Sequence, residues 1–166
     1  MFTIVMYTGV LDKKKDITKK LLSIRGELSI IACILTLGHN ILYGITNFAI
    51  LFTNPTSFKL PKLIAAIISV ILIIIMIPLM ITSFPNVRKK IPFKTWKAIQ
   101  RSAYVFYGLI YVHVMCLFIP KMQKGKFYDV LIYTFIFALY YIARIYRFKK
   151  DKEIKGKSKL RVVQNG

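Results

Sequence analysis

Residues 63–81 read LIAAIISVILIIIMIPLMI, nineteen consecutive positions without a charged side chain. About 20 mostly apolar residues are enough to carry an α-helix across the hydrocarbon core of a bilayer. In lipid a backbone must satisfy its own N–H and C=O groups, which a helix does. This stretch therefore reads as a membrane span, and the rest of the chain as further spans, loops and tails around it. Composition agrees. Of the 166 residues, 56% are hydrophobic and the mean hydropathy is +0.56, above the level of ordinary soluble domains.

Working outward from that stretch, four spans emerge. The first runs from about Glu27 to Phe48 or Phe52, and Glu27 places a carboxylate at a helix start, where the helix dipole favours it. The second is about Leu63 to Ser83, with Pro78 near its end. The third is about Ala98 to Ile119. The fourth is about Phe127 to Tyr146, with Asp129 in its first turn. Between them, Thr53 to Lys62 is a turn broken by Pro55 and Pro61, Phe84 to Lys97 is a basic loop, and Pro120 to Lys126 is a tight turn. The fold class expected is an all-α membrane protein, a bundle of four transmembrane helices plus a short N-terminal apolar stub.

The domain reading follows. Residues 1–10 are a stub too short to span, read as the remnant of a preceding span. Residues 11–146 form the membrane domain, opening with a basic connector from Leu11 to Arg25 that includes Lys13. Residues 147–166 form a basic tail, polar and expected to be disordered at its end.

The formal net charge is +20, from 26 Lys+Arg against 6 Asp+Glu. The cations gather in the Leu11–Arg25 connector, the Phe84–Lys97 loop and the tail. With four spans all three fall on one side, the pattern of cytoplasmic loops. This predicts a multi-pass protein of the cell membrane with both ends cytoplasmic and its cations near lipid headgroups. No nucleic-acid-binding motif accompanies the charge, and a nucleic-acid partner is not expected. Trp96 and the Tyr and Phe residues near span ends fit an interfacial belt. Cys33 and Cys116 lie in apolar segments without CxxC spacing and read as small buried hydrophobes.

Only two histidines occur, His39 and His113, one in the first span and one in the third. An ionisable ring in a membrane marks a functional site. His39 stands twelve residues past Glu27, roughly 18 Å along a helix, and His113 sixteen residues past Lys97, roughly 24 Å. Both spans run in the same direction, so the rings reach compatible depths and could be the axial ligands of one haem iron. Two imidazoles leave iron no open position, which favours electron transfer. Gly38 and Gly108 would let a macrocycle approach the backbone. Thr36 and Asn40 are candidate polar neighbours of the ligand, and Leu109, Ile110, Cys116 and Leu117 form an apolar wall on the His113 face. The other reading of the same rings is a pair of helix-bonding histidines.

Several runs resemble the ferric reductase-like transmembrane domain. They are Ile24-Arg25-Gly26-Glu27-Leu28, Leu37-Gly38-His39-Asn40, Ile81-Thr82-Ser83-Phe84 with Arg88-Lys89-Lys90, and Trp96-Lys97-Ala98-Ile99-Gln100-Arg101 through Tyr104 to His113. The resemblance covers about Tyr7 to Tyr146. It implies membrane electron transfer through haem b, with His39 and His113 as the outer ligand pair. The inner ligand positions of that family fall on Arg25 and Gln100, neither a usual ligand, so the resemblance implies one haem. Single-haem relatives seat a flavin on the cytoplasmic side, which makes Gln100, with Arg25 and Arg101, a candidate cofactor contact. The reading preferred from the residues themselves is that these three side chains cap helices or meet headgroups. Thirteen residues turn an ideal helix by roughly 220°, so Gln100 shares the His113 face only where the helix bulges.

That family has about six helices, of which the four spans and the stub account for part. No GxGxxG or similar loop is present, so nicotinamide would be handled elsewhere. Two functions remain at this point. One is a haem protein, the membrane component of an oxidoreductase, moving electrons from a cytoplasmic flavin or flavoprotein to an outer acceptor (ferric iron, a quinone or a redox partner). The other is a non-redox membrane scaffold or small transporter subunit.

Overall fold

The computed structural model describes residues 1–12 and 14–164, with side chains described through Glu153. It is an all-α membrane protein. Four helical segments are long and apolar enough to cross a membrane: Arg25–Thr53, Leu60–Ile81, Phe93–Lys124 and Phe127–Glu153. Helix α1 (Phe2–Tyr7) and α2 (Asp16–Ser23) precede them. The first span is α3 (Arg25–His39), a π-turn (Asn40–Gly44) and α4 (Ile45–Thr53). Then follow α5 (Leu60–Ile81), the short α6 (Pro85–Arg88), α7 (Phe93–Phe118) and α8 (Phe127–Gln164).

Contacts at the two ends fix the directions. Thr82, past the end of α5, meets Trp96 and Gln100 near the start of α7, while Ala65 and Ser69 near the start of α5 meet His113 near the end of α7. These two helices are antiparallel and form the most extensive pairing in the bundle. Helix α8 returns beside α7, with Tyr111 bonded to Thr134 at 3.1 Å and Arg144 over the Tyr104 ring. At the first turn of α3, a Cβ added to Gly26 would stand 3.3 Å from the Ser83 carbonyl, so the absence of a side chain lets α3 close on the end of α5. Helices α3 and α7 are therefore parallel, as the span order requires.

Only 11 to 28% of each span is buried inside the bundle. Lipid tails are as apolar as leucine, so the helices are held by close packing and a few hydrogen bonds rather than by exclusion of water. Two clusters do this. Cys33, Met76, Leu79 and Phe106 join α3, α5 and α7. Met6, Tyr107, Phe137 and Tyr140 join α1, α7 and α8. In the second cluster Tyr107 stacks on Phe137 at 4.3 Å and meets Tyr140 edge-on at 4.9 Å, pairs worth about 0.5–1.5 kcal/mol each beyond their burial.

Four elements add to the sequence reading. The stub is a helix seated in the bundle, with Met6 buried, Phe2 edge-on to Phe106 and the Tyr7 hydroxyl donating to the Ile136 carbonyl at 2.7 Å. The connector holds the amphipathic α2, and its Lys13 lies outside the described residues. Beside it, the Lys14 N–H donates to the Asp12 carboxylate and holds its pKa below the usual range, helped by Arg147 and Lys150. The Pro120–Lys126 turn is mostly a 3₁₀-helix (Ile119–Lys124), closed by Gly125 at φ 89°, a conformation glycine adopts without a Cβ penalty. Finally, α8 does not stop with the fourth span but continues into the basic tail as far as Gln164. Lysine, arginine and glutamate are good helix formers, and Arg147 pairs with Asp151 one turn on, at 3.3 Å. Asn165 and Gly166 lie outside the described residues.

Candidate functional site

His113 projects from α7 onto the backbone of α5. Its Nδ1 lies 3.0 Å from the Ala65 carbonyl oxygen and 3.2 Å from Ser69 Oγ. A carbonyl can only accept, so the proton sits on Nδ1 and Nε2 carries the lone pair. Ser69 Oγ also donates to Ala65 O at 3.0 Å, which fixes the hydroxyl beside the ring. The helix face can come this close because Ala65 and Ala66 are small; both are buried. Sequence reasoning missed Ser69, although it is the one hydroxyl between Leu63 and Ile81 and in lipid a hydroxyl needs a partner.

His39 ends α3. Its ring is exposed and lies 5.2 Å from the Tyr43 ring, tilted by 37°. The π-turn begins at the next residue. Such a turn adds one residue to the helical repeat and is often found at functional sites. Here it rotates α4 relative to α3 and leaves His39 at the junction. No hydrogen bond from His39, or from Nε2 of His113, occurs among the described residues.

The supporting residues expected around the rings divide. Gly38 faces open space, with no atom within 4 Å of where a Cβ would stand. Gly108 does not: the Tyr141 hydroxyl would be 2.9 Å from its Cβ, so this glycine admits α8 and not a macrocycle. Thr36 and Asn40 are not partners of the imidazole either. Thr36 Oγ1 donates to Ala32 O at 2.9 Å and Asn40 Nδ2 to Thr36 O at 2.8 Å, each satisfied one turn back on its own helix.

Gln100 belongs to a different knot. The Thr82 hydroxyl donates to Pro78 O at 2.7 Å and accepts from Gln100 Nε2 at 3.1 Å, while Trp96 Nε1 donates to Thr82 O at 3.1 Å. Thr82 is buried and its own N–H also donates to Pro78 O at 3.0 Å, so this knot ties off the polar end of α5. Helix α7 is a regular α-helix over Phe93–Phe118; the bulge that would align Gln100 with His113 is absent from it, and the π-turn occurs in the first span instead.

Gln100 also lines a cavity of about 1420 Å³ at the basic end of the bundle. Arg25 and Arg101, the other two residues picked out beside it, line the same cavity, with Trp96, Tyr104 and Arg144. Among the described residues no cluster of three or more His, Cys, Asp or Glu side chains occurs. An iron porphyrin asks for two protein ligands, and the two histidines are of that type. One imidazole is oriented through Nδ1 with Nε2 unpartnered and the other stands at an open helix junction, so the residues present fit a haem.

Residues 13–112 match the family described as ferric reductase like transmembrane component, a family whose members generally bind haem. That match includes His39, the Trp96–Gln100–Thr82 knot and all of α5, and ends one residue before His113. A protein of Treponema pallidum (strain Nichols), described as an uncharacterized protein, is 39% identical over 148 residues, 87% of this chain. Those residues are 41% of the relative, so the chain spans about two fifths of its length. No solved structure matches.

Proposed function

Because this chain belongs to the family of ferric reductase like transmembrane components, we propose that it holds one b-type haem between His39 and His113 and relays electrons across the cell membrane. The donor is a flavin or flavoprotein on the side of the basic loops, which we take to be cytoplasmic. The acceptor is on the outer side: ferric iron, a quinone or a redox partner. When bound, the haem supplies a one-electron Fe(III)/Fe(II) couple. The work of the chain is to orient two imidazoles, keep water from them and leave the metal no open position.

The observation that carries this reading is the bond from His113 Nδ1 to the Ala65 carbonyl. Metal-ligating histidines nearly always donate their other ring N–H to a carbonyl, carboxylate or water, which fixes the tautomer and raises the basicity of the ligating nitrogen. Leu109, Ile110 and Leu117 on the same face of α7 keep the surroundings apolar. The same bond also favours a second reading, in which His113 serves only to join α7 to α5 in a non-redox scaffold or transporter subunit. That reading leaves the free Nε2 and the exposed ring of His39 without a purpose.

Absorbance of the purified chain, oxidised and then reduced with dithionite, separates the two. The haem protein shows a Soret band that shifts on reduction, with sharp α and β bands, and loses them in His39→Ala and in His113→Ala. A colourless protein, or bands that survive both substitutions, would falsify the haem assignment.

A further inference from the structure

We propose that α2 is an interfacial anchor: its Ile17–Leu21–Ile24 stripe is sunk into the leaflet at the basic end of the bundle, and the lysines beside it sit on anionic phospholipid headgroups. One residue, Ile24, separates α2 from α3. The first membrane span opens at Arg25, so chain continuity holds α2 at the membrane surface. Thr18 is the one buried residue of α2 and marks the side turned to the bundle. Ile17, Leu21 and Ile24 follow an i, i+4, i+7 spacing, within about 60° of one another and turned about 90° from Thr18. Ile17 is 73% exposed and Ile24 47%, with Leu21 half-buried between them. The bundle leaves this stripe open.

Charge says what covers it. Lys20 borders the stripe, and Lys14 and Lys15 precede it, all exposed. Lys19 is held by Asp16 at 2.9 Å. Among the described residues no carboxylate lies within 4.0 Å of the Lys14, Lys15 or Lys20 ammonium groups. An apolar stripe edged by lysines is the pattern of a helix lying in the plane of the interface: acyl chains take the stripe, and the long lysine stems carry their charges out to the headgroups. A helix of eight residues would bind lipid weakly by itself, but its attachment to a span makes the contact intramolecular. The negative potential of an anionic leaflet attracts each unpaired lysine, whereas a zwitterionic leaflet satisfies only the apolar half of the site. None of this depends on the haem, and the same anchoring is expected of His39→Ala protein.

The test puts a nitroxide spin label on α2 of the full chain, in nanodiscs of phosphatidylglycerol with phosphatidylcholine and in nanodiscs of phosphatidylcholine alone. Cys33 is fully buried and is kept; Cys116→Ala removes the other thiol. Ile17→Cys and Lys19→Cys carry the label on opposite sides of the helix. The readout is the ratio of collisions with oxygen, which concentrates in lipid, to collisions with water-soluble nickel ethylenediaminediacetate. With phosphatidylglycerol present the ratio is expected to be at least three-fold higher at position 17 than at position 19. Lys14→Gln with Lys15→Gln and Lys20→Gln lowers the value at 17 at least two-fold, whereas Lys59→Gln with Lys62→Gln at the opposite end leaves it unchanged. Where a labelled chain fails to reconstitute, hydrogen exchange of the unlabelled chain decides: α2 amides exchange at least three-fold more slowly with phosphatidylglycerol than without. Equal ratios at 17 and 19, a value at 17 indifferent to phosphatidylglycerol and to the three lysines, or equal exchange in the two lipids overturns the proposal. A label at 17 shielded from both colliders also overturns it and assigns the stripe to a protein contact.

Discussion

The two histidines sit on parallel helices yet are supported in opposite ways. His113 is held from outside its own helix, by the Ala65 carbonyl and the Ser69 hydroxyl of α5. His39 has its nearest ring neighbour, Tyr43, on its own span, and a π-turn starts immediately after it. In the proposed haem site one ring would be preset before the iron binds, and the other could adjust by a change at a helix junction. A site built this way gets its direction from α7 and its tolerance from α3.

The largest effects test whether both rings matter. His113→Ala and His39→Ala are each expected to lower haem content of the purified protein by at least ten-fold, read from the pyridine haemochrome spectrum. Loss in one variant only would show that the rings are not a pair. The next effect falls on α8. In Gly108→Ala the new Cβ meets the Tyr141 hydroxyl at 2.9 Å, at a cost of about 1–3 kcal/mol from overpacking. A thermal unfolding midpoint below that of wild type, restored by adding Tyr141→Phe, is expected; no recovery would mean the contact lies elsewhere. Thr82→Val removes the hydroxyl that links Pro78 to Gln100 and is expected to cost about 1 kcal/mol, since interhelical bonds in membranes are modest. Gln100→Leu should lower stability without changing the haem spectrum, and a changed spectrum would move Gln100 into the haem site. The smallest effect sharpens the contrast between the rings. Ser69→Ala leaves the Ala65 carbonyl in place, so haem is retained and its affinity falls only a few-fold, below the usual 10–100-fold for losing the whole partner. An equal change from Tyr43→Leu would erase the distinction between an anchored and an adjustable ligand.

The spans were legible because charge-free stretches of membrane length have few other readings. The first span shows where that stops: its apolar content fixes that Arg25–Thr53 crosses, but nothing in the pattern of Asn40 to Gly44 announces a π-turn, which inserts a residue without changing composition. The continuation of α8 past Tyr146 was not legible for a related reason. Its lysines repeat the signature of a polar tail, and only the Arg147–Asp151 spacing hints at a continuing helix. At the site, the two histidines stood out by rarity and depth. Their surroundings did not, because the polar neighbours nearest in sequence, Thr36 and Asn40, turn back onto their own backbone. The partner of His113 instead comes from forty-eight positions away, and a backbone carbonyl carries no residue-type signal. Ser69, alone among apolar neighbours, is the one clue the sequence did offer.

The most direct test of the central claim is low-temperature electron paramagnetic resonance of the purified, oxidised chain with haem quantified per polypeptide. A single low-spin ferric signal of bis-imidazole type, at one haem per chain, is the expected result. A high-spin five-coordinate signal, or a low-spin signal that persists when either His39 or His113 is replaced, would contradict it.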